Sequence, residues 1–152
     1  MPHHHERRTL PHSAAQMYDL VADVRRYPEF LPWVGAIRIR QDSETEMLAD
    51  MVVGFNSLRE TFSSRVLKTP KDSIVVEYLD GPMKQLHNEW IFEDLPEGGS
   101  SVDFTVDFSF RNAIFEALAG QFFDAALRKM TGAFIDRADS LYGVVGSSNS
   151  SA

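Results

Sequence analysis

"SVDFTVDFSFRNAIFEALAGQFFDAALRKMTGAFIDRADSLYG", residues 101–143, decides the fold. Residues 101–110 alternate. Val102, Phe104, Val106, Phe108 and Phe110 fall on one face and Asp103, Thr105, Asp107 and Ser109 on the other, the pattern of a strand with one wet face. From Asn112 the period becomes helical, with Asn112 at a cap position, Glu116 in the first turn and Gly143 just past the end. About 30 residues rising 1.5 Å each make a helix of roughly 45 Å. Phe115, Leu118, Ala119, Phe122, Ala126, Met130, Ala133 and Leu141 share its broad apolar face, with Phe123, Leu127 and Phe134 on the flanks.

Upstream of this pair the period is mostly two. "VGAIRIRQ" sets Ile37 and Ile39 against Arg38 and Arg40, and further strands are expected near 46–55, 58–68, 73–79 and 85–93. The segments between them, "DSET", "NS", "PKD", "DGP" and "PEGGS", are turn-rich and too short for crossovers, so neighbouring strands run antiparallel. A weaker strand is expected near 3–9. Next, Ser13 with Gln16 forms a capping box, and Met17, Leu20, Val21 and Val24 recur on one helix face, predicting a helix over 13–24. Pro28 can open a very short helix, "PEFL", which Pro32 cuts off. The fold class is α+β: a curved antiparallel sheet wrapped around a long C-terminal helix, with two short helices after strand 1. The inward strand positions carry bulky side chains, while the helix interleaves Ala119, Gly120 and Ala126. Small residues there either draw helix and sheet together or leave a cavity.

Composition bounds the function. A chain of 152 residues fits one domain, expected over 3–143, and the Ser-rich stretch 144–152 reads as a disordered tail. It has no cysteine, which excludes disulfides and thiol catalysis. No run reaches the roughly 18 apolar residues of a membrane span, and the N-terminus lacks the apolar centre of a signal peptide, so a cytoplasmic protein is expected. A net charge of −7 argues against sequence-independent nucleic-acid binding, and no DNA partner is expected.

Four segments, "LVADVRRYPEFLPWV", "FNSLRETFSSRV", "DGPMKQLHNEWIF" and "VDFTVDFSFRN", in this order and spacing, resemble the coenzyme Q-binding branch of the START-like superfamily. This is the polyketide cyclase or SRPBCC group. It includes bacterial proteins described as oligoketide cyclase/lipid transport proteins or ribosome-association toxins. The resemblance covers about residues 5 to 143. It implies a helix-grip (START/Bet v 1-like) fold with a hydrophobic tunnel between sheet and C-terminal helix, and ubiquinone or a related polyprenyl lipid as carried ligand. Carriage would support respiratory electron transport or quinone biosynthesis, with transient contact at the inner face of the membrane. No cofactor beyond the carried ligand is implied. The family often carries Cys after its "LPW" block; here Val34 follows Trp33, which weakens any covalent mechanism.

Read against that tunnel, the ligand-binding candidates are Tyr27, Phe30, Leu31 and Trp33 at its mouth and Phe55, Phe62, Trp90 and Phe108 on the sheet. On the helix they are Phe115, Leu118, Ala119, Phe122, Phe123, Ala126 and Met130. Alternation places Glu60 and Ser64 on the face of Phe62, and Asn88 on that of Trp90, so Glu60 and Asn88 are the candidate head-group contacts. Tyr27 is a further one, because a buried hydroxyl needs a partner. The simpler reading of the same aromatics is a packed corner between helix and sheet. Glu60 is also the candidate general base of an aromatase/cyclase, although pairing with Arg59 or Arg65 is the commoner role for such a residue. His87 faces away from Trp90 and has no nucleophile or acid beside it, and no metal ligand set completes the run His3, His4, His5. Arg7, Arg8, Arg25, Arg26, Arg38 and Arg40 concentrate in the first forty residues. Anionic head groups are one partner for such a patch, and the large ribosomal subunit is the alternative partner that the resemblance implies.

Overall fold

The computed structural model describes residues 3–55, 58–81 and 83–143, with backbone alone for residues 55, 58, 115, 118–124 and 126. The expected tail at 144–152 lies outside the described residues. Residues 101–143 form the predicted pair: strand β7 (Ser100–Phe110) and helix α2 (Ala113–Tyr142). The Asn112 side chain accepts from the Ile114 amide at 2.8 Å, and Gly143 ends the helix at φ +84°, a left-handed conformation that glycine adopts without Cβ strain.

Before them run β1 (His3–Leu10), α1 (Ala14–Ala22), a 3-10 helix (Val24–Glu29) and β2 (Val34–Asp42). The sheet continues with β3 (Glu46–Phe55), β4 (Leu58–Thr69), β5 (Ser73–Asp80) and β6 (Met83–Asp94). All pairs are antiparallel, and the order is β1-β7-β6-β5-β4-β3-β2. Strands β1 and β2, neighbours in sequence, are thus the two edges, and α1 with the 3-10 helix bridges the width of the sheet between them. Register shifts interrupt β2–β3, β4–β5 and β6–β7. Each local irregularity bends its strand and adds twist, which curls the sheet around the helix.

Helix α2 packs against α1 and β7. Its buried stripe in the described part is Leu127, Thr131, Phe134 and Ala138, spaced four, three and four residues apart. The Thr131 hydroxyl donates to the Leu127 carbonyl at 3.1 Å, so a polar group sits in the core with its hydrogen bond made locally. Leu141, placed on the apolar face by periodicity, is instead 50% exposed, in the last turn of the helix, which ends at Tyr142.

The capping box at Ser13 and Gln16 forms as expected, and Asp94 of β6 accepts a further first-turn amide, that of Ala14, at 2.9 Å. Helix α1 stops at Ala22 rather than Val24, and the second short helix differs more. It spans Val24–Glu29 and contains Pro28, where "PEFL" was expected; proline's fixed φ suits a short 3-10 turn, at the loss of one amide donor. The chain is then tied down by hydrogen bonds from the Leu31 amide to Tyr27 O (2.8 Å), from Val34 to Leu31 O (3.0 Å) and from Gly54 to Trp33 O (2.8 Å). His12, with a side chain 1% exposed, joins the turn before α1 to Asp139 of α2 at 2.8 Å, its ring beside that of Tyr142.

Candidate functional site

Helix and sheet do not close on each other completely. Between them lies a cavity of about 300 Å³, partly open to solvent. Its floor is the concave face of the sheet: Ala49, Met51 and Val53 of β3; Phe62, Ser64 and Val66 of β4; Ile74 and Val76 of β5. On the far side β6 adds Met83, Leu86, Asn88 and Trp90, and β7 adds Phe104 and Val106. The roof is Leu127, Met130 and Phe134 of α2, and one end is closed by Val21, Val24, Tyr27, Leu31, Trp33 and Val34. Period-two alternation puts these strand residues on one side, and sheet curvature makes them converge.

Among the described residues this wall carries no carboxylate, ammonium, guanidinium or imidazole. Its polar side chains are few and mostly engaged. The Trp90 Nε1–H donates to Asn88 Oδ1 at 3.1 Å, and Asn88 Nδ2 donates to the Thr105 carbonyl at 3.0 Å. The Tyr27 hydroxyl donates to the Val21 carbonyl. Burial, with a smaller contribution from Asp23, pushes its pKa well above the ordinary tyrosine value, so it stays neutral. Ser64 has no hydrogen-bond partner for its hydroxyl among the described residues.

Tyr27, Leu31, Trp33, Phe62, Trp90, Met130 and Asn88 therefore border the cavity. Three predicted residues do not. Phe30 turns its ring onto Phe134 (5.2 Å) and lies under the Arg137 guanidinium (5.3 Å), behind the wall. Phe108 is buried farther along β7, edge-on to Phe110 at 5.6 Å. Glu60 is exposed at the start of β4, opposite Val53 and outside the lining. Arg65, one of its expected partners, instead pairs with Glu46 (3.0 Å) and Glu77 (3.6 Å) on the outer face. The side chains of Phe55, Phe115, Leu118, Ala119, Phe122, Phe123 and Ala126 lie outside the described residues. The aliphatic lining of β3 and β5 was not singled out from sequence, although the same alternation that selects Phe62 and Trp90 selects it.

The sequence profile of polyketide cyclase / dehydrase and lipid transport proteins matches residues 10–135. The chain belongs to this family. Within it, the protein is similar to ribosome association toxin RatA of Pseudomonas aeruginosa, at 37% identity over 88% of this chain and 93% of that one. It is also similar to the mitochondrial coenzyme Q-binding protein COQ10 of Drosophila melanogaster, at 33% identity over 82% of this chain and 53% of that one. Among solved structures, the ZhuI aromatase/cyclase from Streptomyces superimposes with a TM-score of 0.80, covering 91% of this chain and 93% of that one. At 18% identity that likeness shows the shared helix-grip fold.

In this polyketide cyclase and lipid transport family member most arginines of the first forty residues lie beside carboxylates, while Arg38 is exposed outside those pairs. Arg7 pairs with Asp103 (3.2 Å), Arg8 with Glu6, and Arg26 with Asp23 (3.1 Å) and Glu29 (3.3 Å). Arg40 pairs with Asp50 at 3.2 Å and Arg25 lies 3.8 Å from Asp42. His3 and His5 sit on β1, which pairs along its length with β7, and meet Asp107 and Asp103 of that strand. No cluster of metal-binding character occurs among the described residues. No helix among them is long and apolar enough to cross a membrane.

Proposed function

We propose that the protein carries a prenyl-type lipid, ubiquinone or a relative, in the cavity between sheet and α2. The observation that carries this reading is the wall itself: a concave apolar surface, open on one side, with two uncharged polar side chains, Ser64 and Asn88, whose polar atoms are not all engaged. Each buried CH₂-sized group of a ligand contributes about 0.8 kcal/mol there, without any specific contact. A volume of about 300 Å³ is at the lower end for a small-molecule site, so a ring with a short length of tail fits and the remaining tail leaves through the open side. Carriage is favoured over cyclase chemistry because the one candidate base, Glu60, is exposed and outside the wall. The protein is read as working between an aqueous compartment and the inner face of a membrane. Protein purified without detergent is extracted with organic solvent and the extract analysed by mass spectrometry. A prenylated quinone is the expected occupant; an empty cavity or fatty acid alone, with no quinone binding on titration, overturns the reading.

A second reading is association with the large ribosomal subunit. It is supported by the similarity to a ribosome association toxin over nearly its whole length, against about half the length of the coenzyme Q-binding relative. The paired arginines of the surface weigh against a phosphate-tracking mode of binding. Co-sedimentation with ribosomal subunits at low salt tests it, and the absence of co-migration excludes it.

A further inference from the structure

Asn88 is fixed in one orientation by its neighbours. An indole N–H can only donate, so the amide atom 3.1 Å from Trp90 Nε1 is the oxygen, and the Asn88 nitrogen then spends one of its hydrogens on the Thr105 carbonyl at 3.0 Å. One N–H of Asn88 is left, on a side chain that lines the cavity. Ser64, two strands away, brings a hydroxyl with no partner among the described residues to the same wall. It stands at the register shift between β4 and β5, a place where an irregularity re-aims a side chain.

Their separation follows from the sheet. Ser64 is opposite Tyr78 and Asn88 is opposite Val76, so the two lie two strand spacings apart with an offset of two residues along β5. At about 4.8 Å per strand and about 3.4 Å per residue, that is roughly 12 Å. That backbone separation, spanned from each end by a side chain and a hydrogen bond of about 3 Å, is of the order that a six-membered ring with oxygens on opposite carbons bridges. Both residues line the concave side of the sheet.

Building on the carriage reading, we propose that Ser64 and Asn88 are the specificity residues of the cavity, two hydrogen-bond donors that grip the opposed oxygens of a ring dione. The apolar wall supplies affinity for any prenyl chain; these two side chains select the oxygenated ring. Tyr27 has no part in this recognition, because its hydroxyl proton is engaged by Val21.

The test is calorimetric titration with two probes, a short-chain prenylated 1,4-benzoquinone and the matching prenylated benzene with both ring oxygens replaced by hydrogen. The wild type is expected to bind the dione at least about tenfold more tightly. Ser64→Ala, which removes a hydroxyl with no structural partner, weakens the dione about three- to tenfold and leaves the hydrocarbon unchanged. Asn88→Asp keeps an oxygen for the Trp90 N–H and deletes both amide hydrogens, and loses more; unchanged near-ultraviolet circular dichroism verifies its fold. Equal affinity for the two probes, or an unaltered dione affinity in Ser64→Ala, overturns the donor pair while leaving lipid carriage standing. Failure of both probes to bind wild type overturns the carriage reading with it.

Discussion

The two faces of the sheet are made by the same strands and follow opposite rules. On β4, Phe62, Ser64 and Val66 point into the cavity, while between them Ser63 donates to Asp50 (2.8 Å) and Arg65 pairs with Glu46 and Glu77. On β7, Phe104 and Val106 line the cavity and Asp103 and Asp107 meet the basic side chains of β1. Inward residues each touch several elements, so their contributions are coupled. Outward residues form local pairs in water, where each charge is screened and replaceable.

That contrast can be broken by substitution, and the largest effect is expected at the roof. Phe134 is 4% exposed and meets the rings of Tyr27 (5.4 Å), Phe30 (5.2 Å) and Trp90 (5.3 Å). Phe134→Ala joins its space to the cavity and should cost about 3–5 kcal/mol in urea denaturation. Next comes Gly99, at φ +76° in the turn before β7, where an added Cβ would stand 2.3 Å from Leu10 O. Gly99→Ala should lower stability by about 1–3 kcal/mol and loosen β1 from β7, read by hydrogen exchange at the β1 amides. Val76→Phe enlarges a side chain into empty space instead of packed core. It should abolish probe binding while changing stability by less than about 1 kcal/mol. On the outer face, Arg7→Ala should change stability by less than about 1 kcal/mol, and less still in high salt.

Glu6 is the informative exception, a carboxylate on β1 that lines a small void with Leu10, Met17 and Trp90. Burial acts to raise its pKa, but hydrogen bonds from Arg8 and His4 outweigh that and hold it below the usual glutamate value. A lowered folded-state value means that the carboxylate stabilises the fold above the ordinary glutamate range, and this contribution is lost as pH falls through the lowered value. Glu6→Gln should therefore flatten the acid limb of stability against pH while leaving the neutral region nearly level with its own baseline. This is the smallest of the expected changes.

Local signals in the chain were enough to read the strands, the long helix and the capping box, because alternation, helical period and cap chemistry act between residues near in sequence. The pairings that decide surface charge were not readable. His5 and Arg7 meet Asp103 across the β1–β7 register, and Arg65 finds Glu46 and Glu77 rather than Glu60, because topology and not spacing brings them together. The corner at "RYPEFLPW" was half legible. Tyr27, Leu31 and Trp33 border the cavity, but Phe30 is rotated behind the wall by the 3-10 turn that contains Pro28. The aromatic residues also drew notice away from Val66, Ile74 and Val76, which are part of the floor.

The order of strands has a consequence for how the chain is made. His3 and Asp107, partners on β1 and β7, are separated by 104 positions. At roughly 5–20 residues per second of synthesis, β1 waits on the order of 5–20 seconds for its neighbour to exist. Strands β2 to β6 can zip hairpin by hairpin in that interval, each beside the last. The first strand to be made is thus the last to be seated, and until then its edge is open to whatever else the cell offers.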